Sequence, residues 1–385
     1  MKICLVSSSF YPATFYGGPI SATWDLSKKL AEKGIEVYVS TTNANGHKKL
    51  GVERNKYLEK EVNVFVKYYN EQIINKLSLS FIFGIWSDIK QSDVVYIQYL
   101  FHYTVLFSLL FSVIQQKKII MCPRGSFSEF TLSNRFTFIK NLWLFLFIKP
   151  FINKIVWQAS SYLEESDIKK KFPVTTVEVI NDGVDFQSFQ VYQEISKIEL
   201  VNRYSNSTAT KVSNLFFSMG RLHKIKGFDV LIEAFHLFLK EDKDAKLIIA
   251  GGDDGEEEQL HDQIKKLNIE SSVFLIGAID FDEKKMLLNI CDYFILASEF
   301  ESFGIVVAEA LSCGLPVVVS NKTPWKDIEI NNCGIFAQNE KVSFCQALQR
   351  VQNMKYNKEH IRKYVKENYD WDIIVEKFIN CIKSS

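Results

Sequence analysis

The sequence predicts an α/β protein of two domains, and three observations carry that prediction. Between Leu215 and Val319 short apolar runs alternate with amphipathic segments, each pair separated by a Gly- or Pro-marked break. Alternating βα units of this kind make parallel sheets with helices on both faces. The chain opens the same way, with apolar Lys2–Ser7, a loop from Ser8 to Gly18, an amphipathic stretch to Lys33 and a second apolar run, Val37–Thr42. At 385 residues it is too long for one ordinary core.

The elements follow in order. Pro19 suits a first helical turn, and Gly34 is the stop signal of that helix. No Gly-x-Gly-x-x-Gly follows the first strand, so a tightly bound dinucleotide is not signalled. Asn63–Tyr69, Asp93–Gln98 and Lys118–Pro123 read as further strands. Tyr99–Ile114 is nearly all apolar but contains His102, Thr104 and two serines, and it falls short of the ~20 residues of a membrane span. It reads as a strand end followed by a core helix.

Phe136–Trp157 alternates bulky apolar residues with Lys140, Lys149 and Lys154. Two readings stand: a helical region packed on the sheet, or a basic, aromatic surface lying on an anionic membrane. Gln158–Lys170 reads as a helix with Glu164, Glu165 and Asp167 exposed. From Gln187 to Asn214, with Asn206-Ser207-Thr208 in its middle, the chain is polar and aperiodic and reads as a linker.

Beyond it, strand Leu215–Met219 precedes helix Phe228–Leu239, and strand Lys246–Gly251 precedes helix Glu257–Leu267. Strand Val273–Gly277 precedes helix Asp282–Ile290, and Trp371–Ile382 is a final amphipathic helix. The domains are then 1–186, a linker 187–214, 215–365, and a C-terminal helix in 366–385.

Composition narrows the function. Hydrophobic content of 47% against 24% charged is that of a globular chain, and a net charge of +1 argues against a nucleic-acid binder. The charge is uneven: Val105–Ser160 holds seven Lys/Arg (Lys117, Lys118, Arg124, Arg135, Lys140, Lys149, Lys154) against one acid, Glu129. Seven scattered cysteines without a Cys-x-x-Cys pair read as reduced thiols of a cytosolic protein. The N-terminus reads as a first strand, too short for a signal peptide.

The chemistry concentrates in Ala297–Leu311. An apolar strand, Asp292–Leu296, leads into a polar turn, then a helix, then the Gly314-Leu315-Pro316 break and Val317–Val319. Ser302 reads as the cap of that helix, leaving the amides of Phe303, Gly304 and Ile305 for an anion. Glu301 precedes the helix and Glu309 stands about two turns inside it; ionised carboxylates accept hydrogen bonds from vicinal sugar hydroxyls. Taken alone, Glu301 reads more simply as a solvated side chain and Glu309 as a residue on a polar helix face. A second strand, Leu215–Met219, runs into Gly220-Arg221-Leu222-His223-Lys224-Ile225-Lys226-Gly227, where Arg221 and Lys226 stand at a strand's carboxyl end. Cations and helix amides suit a diphosphate, and carboxylates suit sugar hydroxyls.

Gly-Arg-Leu-x-x-x-Lys-Gly followed by Glu-x-Phe-Gly-x-x-x-x-Glu-Ala-Leu-x-x-Gly-x-Pro-Val resembles the retaining glycosyltransferases of family 4, polysaccharide-forming members among them. The resemblance implies the GT-B architecture, two Rossmann-like domains whose parallel sheets face a central cleft. It assigns Arg221 and Lys226 to the donor diphosphate, Glu301 to the transferred sugar, the amides of Phe303, Gly304 and Ile305 to a phosphate, and Glu309 to the ribose. It also places Gly17 and Gly18 against the donor phosphate, and Gly277 and Ala278 against the base. The donor would be a UDP- or GDP-sugar, the acceptor a glycan or lipid-linked oligosaccharide. No cofactor or metal is implied, and the protein would be cytoplasmic, either free or peripheral on the inner face of the membrane.

The chain departs from that pattern. The family's His-x-His strand corresponds to Tyr96 and Gln98, and Gln98 cannot carry a proton as imidazole does. His102 is close enough to substitute for it, although a lone His in an apolar stretch is more often a structural residue. Pro123-Arg124-Gly125 resembles a turn of polysaccharide-forming members, so Arg124 is either an acceptor or phosphate ligand or a surface arginine. Asp182 stands where that family has Asn.

Asp280-Phe281-Asp282 and Asp370-Trp371-Asp372 have a metal-binding spacing but sit where helix caps are expected. Two rivals remain: a sugar-nucleotide epimerase on the same fold, and a non-catalytic nucleotide-sugar-binding subunit.

Overall fold

The computed structural model describes residues 1–385 except 74, 76, 134, 135, 174, 191–194, 206–208 and 385, so Arg135 and the Asn206-Ser207-Thr208 stretch lie outside the described residues. The chain divides into two compact units, Met1–Gly183 with Trp371–Ser385, and Val184–Asp370.

In the first unit the strands are β1 (Lys2–Val6), β2 (Glu36–Thr42), β3 (Ala44–Asn45), β4 (Lys48–Lys49), β5 (Tyr57–Glu61), β6 (Val64–Tyr69), β7 (Val94–Gln98), β8 (Lys118–Cys122), β9 (Ile155–Ala159) and β10 (Val177–Val179). Eight of them form one sheet in the order β10-β9-β8-β7-β1-β2-β6-β5, and only the edge strand β5 runs antiparallel to its neighbour. β3 and β4 form a separate hairpin.

Alternate residues of a strand point to opposite faces, and β1 shows both destinations. Ile3 and Leu5 join Leu26 and Leu30 of helix Gly18–Glu32 and Ile374 and Phe378 of the last helix, Trp371–Ser384. Cys4 and Val6 join Phe81 and Ile85 of helix Leu79–Lys90 and Val105 and Leu109 of helix Tyr103–Ile114. The last helix is seated by Phe378, edge-on to Tyr96 at 4.9 Å, and by Trp371, whose indole lies 2.4 Å from where a Cβ on Gly183 would stand.

The second unit holds β11 (Leu215–Met219), β12 (Lys246–Ala250), β13 (Val273–Leu275), β14 (Tyr293–Leu296), β15 (Val317–Ser320) and β16 (Gly334–Ala337) in the order β13-β12-β11-β14-β15-β16, all parallel. Here too the strands divide their side chains, Leu215 and Phe217 to one core and Phe216 to the other.

Both sheets are wound outward from a central strand. The chain builds β1, β2 and β6 in one direction and then returns to place β7 on the other side of β1; in the second unit it builds β11, β12 and β13, then β14 beside β11. Each sheet therefore has a switch point, β1/β7 and β11/β14, where the outgoing loops diverge and leave a crevice at the carboxyl ends of the strands.

Several segments differ from the sequence reading. The stretch read as a linker contains helix Lys197–Tyr204, capped by Ser196 and burying Leu200 and Val201; its eight residues are too few to stand out as periodicity among polar neighbours. Helical structure in the basic segment ends at Lys154, and Ile155–Ala159, including Gln158, is strand β9 because Trp157 and Ala159 are wholly buried in the sheet. The following helix is Tyr162–Lys171, and Glu164 on it is buried, not exposed. Residue 366 falls inside helix Lys358–Tyr369, whose Ile361 and Val365 are core, so the chain leaves the second unit at Asp370. All seven cysteines are buried and unbridged. Among the described residues no helix is long and apolar enough to cross a membrane.

Candidate active site

The β11/β14 switch point of the second unit assembles the charged residues that the sequence singled out. β11 ends at Met219, and Gly220 continues its ladder with an N–H bond to Ala250 O at 3.0 Å. Gly251 on the neighbouring strand must be glycine, because a Cβ there would stand 1.7 Å from Gly220 O. The chain then turns through the short 3-10 segment Lys224–Lys226, where His223 Nδ1 accepts from Ile225 N at 3.1 Å, and leaves through Gly227 at φ +63°. A side chain at Gly227 would meet Ala297 O at 2.2 Å, so the turn lies against the loop that follows β14. Glu299 N donates to Ile225 O at 2.8 Å and ties the two loops together.

That contact brings Lys226 and Glu301 into register. Lys226 Nζ lies 2.5 Å from Glu301 Oε1, and the same oxygen accepts from Ser298 Oγ at 2.8 Å. The two side chains are 19% and 12% exposed, so this pair is largely shielded from solvent. Arg221, at 44% exposure, pairs with Asp254 on the loop after β12. That loop is itself ordered by Asp253, whose Oδ1 accepts from the N–H groups of Gly255, Glu256 and Glu257 at 2.9, 3.2 and 3.1 Å. Those amides, Glu257's foremost, hold the Asp253 carboxyl below its ordinary range.

The helix after β14 begins later than its sequence suggests. It spans Ile305–Ser312, and its N-cap is Gly304 at φ +80°, not Ser302. The reason is that Phe303 is pulled into the core: its ring packs on Trp325 and Tyr369, and its carbonyl accepts from Trp325 Nε1 at 2.6 Å. Only a residue at ease in the left-handed region can then turn the chain into the helix. The first-turn amides are therefore those of Ile305 and Val306, since Val307 N is already bonded to Gly304 O at 2.9 Å. The Phe303 side chain is core, and its part in any ligand site is limited to its backbone.

Glu309, one turn further, is buried. Lys284 Nζ, from helix Phe281–Ile290, lies 2.6 Å from its Oε1, while Oε2 is buried without a hydrogen-bond partner among the described residues. Lys284 also stands over the rings of Phe281 and Phe189 at 5.3 and 5.6 Å, contacts that fix its approach. Sequence reasoning missed Lys284, which reads as one more surface lysine on an amphipathic helix. Gly277, at φ +74° with open space where a side chain would be, accepts Gly251 N at 2.7 Å through its carbonyl, and Ala278 stands beside Gly252.

Asp280 caps its helix by accepting from Glu283 N at 2.8 Å, and Asp370 directly precedes helix Trp371–Ser384. Among the described residues there is no cluster of His, Cys, Asp and Glu able to hold a metal ion.

The first unit's switch point gathers the other candidates. Gly17, at φ +74°, is the N-cap of helix Gly18–Glu32, and Pro19 lies in its first turn. From that helix Thr23 Oγ1 donates to Gln98 Oε1 at 2.9 Å, across the switch point, and Gln98 Nε2 has no hydrogen-bond partner among the described residues. His102 is the N-cap of helix Tyr103–Ile114, its Nδ1 accepting from Thr104 N. Burial lowers its pKa from 6.5 to about 4, so the ring is neutral at physiological pH.

Arg124 does not lie open at the surface. It is 2% exposed and paired with Asp182 at 2.5 Å, with the backbone at φ +51°. Burial is the largest single influence and opposes its charge, but Asp182, Cys122 and Tyr96 together outweigh burial and hold the guanidinium well above its ordinary range. The following turn is braced by Glu164, which accepts from Gly125 N at 2.5 Å and from Ser160 N and Oγ at 2.7 and 2.6 Å. The unusual Asp182 and the buried arginine are thus two halves of one arrangement.

The family described as "Glycosyl transferases group 1" matches residues 203–371. An uncharacterised glycosyltransferase of Methanocaldococcus jannaschii is 30% identical over 218 residues, 55% of this chain and 55% of that protein. The chain thus spans about half the length of that relative. Among solved structures, Anabaena HepE in complex with UDP-glucose matches over 100% of both chains with a TM-score of 0.77 at 18% identity. WaaG, a glycosyltransferase involved in lipopolysaccharide biosynthesis, matches over 100% of both chains with a TM-score of 0.71 at 15% identity. At these identities the two structures establish the fold.

Proposed function

We propose, from the match of residues 203–371 to the group 1 glycosyltransferases and from the GT-B fold of the whole chain, that this protein is a retaining glycosyltransferase of family 4. It moves a hexosyl group from a UDP- or GDP-sugar to a glycan or lipid-linked acceptor, in the synthesis of a surface polysaccharide or lipopolysaccharide. The observation that carries this reading is the convergence of Arg221, Lys226, Glu301, Glu309 and the Ile305 helix terminus on one switch point.

The roles follow from the chemistry of the groups. The donor's diphosphate takes the place of Asp254 and Glu301 as partner of Arg221 and Lys226, with the amides of Ile305 and Val306 at a helix N-terminus completing the anion site. Glu301, released from Lys226, accepts hydroxyls of the transferred sugar. Glu309, steered by Lys284, accepts from the ribose. In transfer, the bond from the anomeric carbon to the diphosphate oxygen breaks and a bond to the acceptor oxygen forms on the same face. The acceptor's proton passes to the leaving diphosphate. Neutralising the charge that grows on the departing diphosphate is the main catalytic contribution of Arg221 and Lys226. The acceptor binds to the first unit, and the protein works at the inner face of the membrane.

The test is release of nucleoside diphosphate from UDP- and GDP-sugars with an extract of lipid-linked acceptors, with and without acceptor. Acceptor-dependent release, lost in Arg221→Ala, supports transfer. Conversion of the donor alone into an epimer would replace this reading with the epimerase. The replacement of the family's histidine by Gln98, held by Thr23, favours one second reading, a subunit that binds the nucleotide sugar without turning it over. Donor binding with no release would support it.

A further inference from the structure

We infer that the outer face of residues 138–149, together with Lys171, is a docking surface for an anionic lipid bilayer. The segment is continuously helical, as helix Thr137–Trp143, a π-helical turn Leu144–Ile148 and the 3-10 segment Lys149–Lys154. Its inner side is accounted for: Leu144 and Ile148 are in the core, and Trp143 Nε1 donates to Leu100 O at 3.1 Å.

A helix with one face in a protein core ordinarily turns polar residues to water. This one does the opposite. Phe138 is 78% exposed, Phe145 59% and Ile139 58%, with Leu146 and Leu142 at 48% and 43%. Positions 138, 142, 145 and 149 recur at helical spacing, so these side chains share one outward face, and Phe136, 69% exposed, extends it. A contiguous exposed apolar surface on a folded chain marks an interaction site.

Charge identifies the occupant. Lys149 and Lys154 are exposed on the same segment, and Lys171 reaches it from helix Tyr162–Lys171, its Nζ on Asn141 Oδ1 at 2.7 Å. Lys140 does not contribute, since its Nζ turns inward to Thr131 O. No Asp or Glu occurs between residues 130 and 163. Leu144, Phe145, Lys149, Lys171 and Phe172 line a shallow depression of about 420 Å³ with Asn141, a setting that offers two ammonium groups beside an aromatic ring. Aromatic and aliphatic side chains that enter the acyl boundary, flanked by lysines at headgroup level, are the pattern of interfacial helices. A second copy of this chain or an apolar protein face would not select for lysines at the rim without acids to meet them.

The inference deepens the proposed function by naming the surface on which a lipid-linked acceptor would be met, but its test does not use transfer. The 385-residue chain is sedimented with vesicles of phosphatidylcholine alone and of phosphatidylcholine mixed with phosphatidylglycerol, and nucleotide affinity and thermal unfolding are measured on the same samples. The expected result is binding to the anionic vesicles that salt weakens, reduced at least tenfold in Phe138→Ser/Phe145→Ser and in Lys149→Glu/Lys171→Glu. Val62→Ser, an exposed apolar residue beside the edge strand at the far end of the sheet, should change nothing. Absent binding, binding indifferent to lipid charge, or binding unaffected by the paired variants would overturn the inference. So would self-association of the wild-type chain that Phe138→Ser/Phe145→Ser abolishes while vesicle binding is unchanged. Vesicle binding by a chain that binds no nucleotide would leave the surface standing and remove the proposed function.

Discussion

Lys284 holds one oxygen of Glu309 at 2.6 Å and leaves the other buried and without a hydrogen bond among the described residues. An unsatisfied buried carboxylate oxygen costs roughly 1–3 kcal/mol, which a ligand hydroxyl arriving there would recover. Lys284 therefore acts through Glu309, fixing the rotamer in which the second oxygen waits. Glu309→Gln should weaken nucleotide affinity at least tenfold, and Lys284→Met should do the same while also lowering stability by roughly 2–4 kcal/mol, because it strands a buried charge. Calorimetric titration beside denaturant unfolding separates the two. Undiminished affinity in both variants would remove Glu309 from the site.

Lys226 and Glu301 make a different kind of pair, one that the proposed donor must open. Lys226→Ala and Arg221→Ala should each reduce turnover at least tenfold, a loss of about 1.4 kcal/mol of barrier lowering. Glu301→Gln weakens the hold on Lys226 and should reduce turnover more than it reduces affinity for the bare nucleoside diphosphate, which lacks the sugar. Steady-state rates compared with UDP or GDP affinity test that split. Equal losses in both would place Glu301 on the diphosphate rather than the sugar.

The Arg124–Asp182 pair is a stability element by its geometry, buried on both sides. Asp182→Asn should destabilise the first unit by roughly 3–5 kcal/mol, since it leaves a guanidinium without its counter-charge. Arg124→Met/Asp182→Asn should recover much of that loss. Chemical denaturation of the four proteins in the cycle measures it, and strict additivity of the two changes would contradict the pairing.

His102 gives the fold a pH dependence of known sign. Its pKa in the folded chain, about 4, lies below the ordinary 6.5, so the unfolded chain binds the proton more readily. Its contribution to stability is complete above pH 6.5 and is lost as pH falls through the window down to about 4. His102→Asn keeps a side chain able to accept from the helix amide and should flatten that part of the stability profile. A profile identical to the wild type between these values would mean that His102 does not titrate with folding.

Much of this was legible in the sequence, and the rest had physical reasons to be hidden. Gly220–Gly227 and Glu301–Glu309 are local: strand, turn and helix follow one another within a few residues, and Gly227 and Gly304 mark backbone in the left-handed region. Long-range partners leave no such trace. Nothing near Arg124 announces Asp182, 58 positions away, although an Asp at that position is itself unusual. Lys284 looked like an ordinary lysine because its partner lies 25 residues on. The helix start was misplaced by one contact, Trp325 on the Phe303 carbonyl, which moved the cap from Ser302 to Gly304. Buried Glu164 reads as a surface acid in the sequence because helical polarity says nothing of a turn docking onto it.

The most direct measurement is calorimetric titration of the purified chain with UDP, GDP and ADP in the absence of metal, repeated with Arg221→Ala. The account predicts that UDP or GDP binds and that Arg221→Ala weakens that binding at least tenfold. Binding of none of the three, or equal binding in Arg221→Ala, would contradict the placement of a nucleotide diphosphate at the β11/β14 switch point.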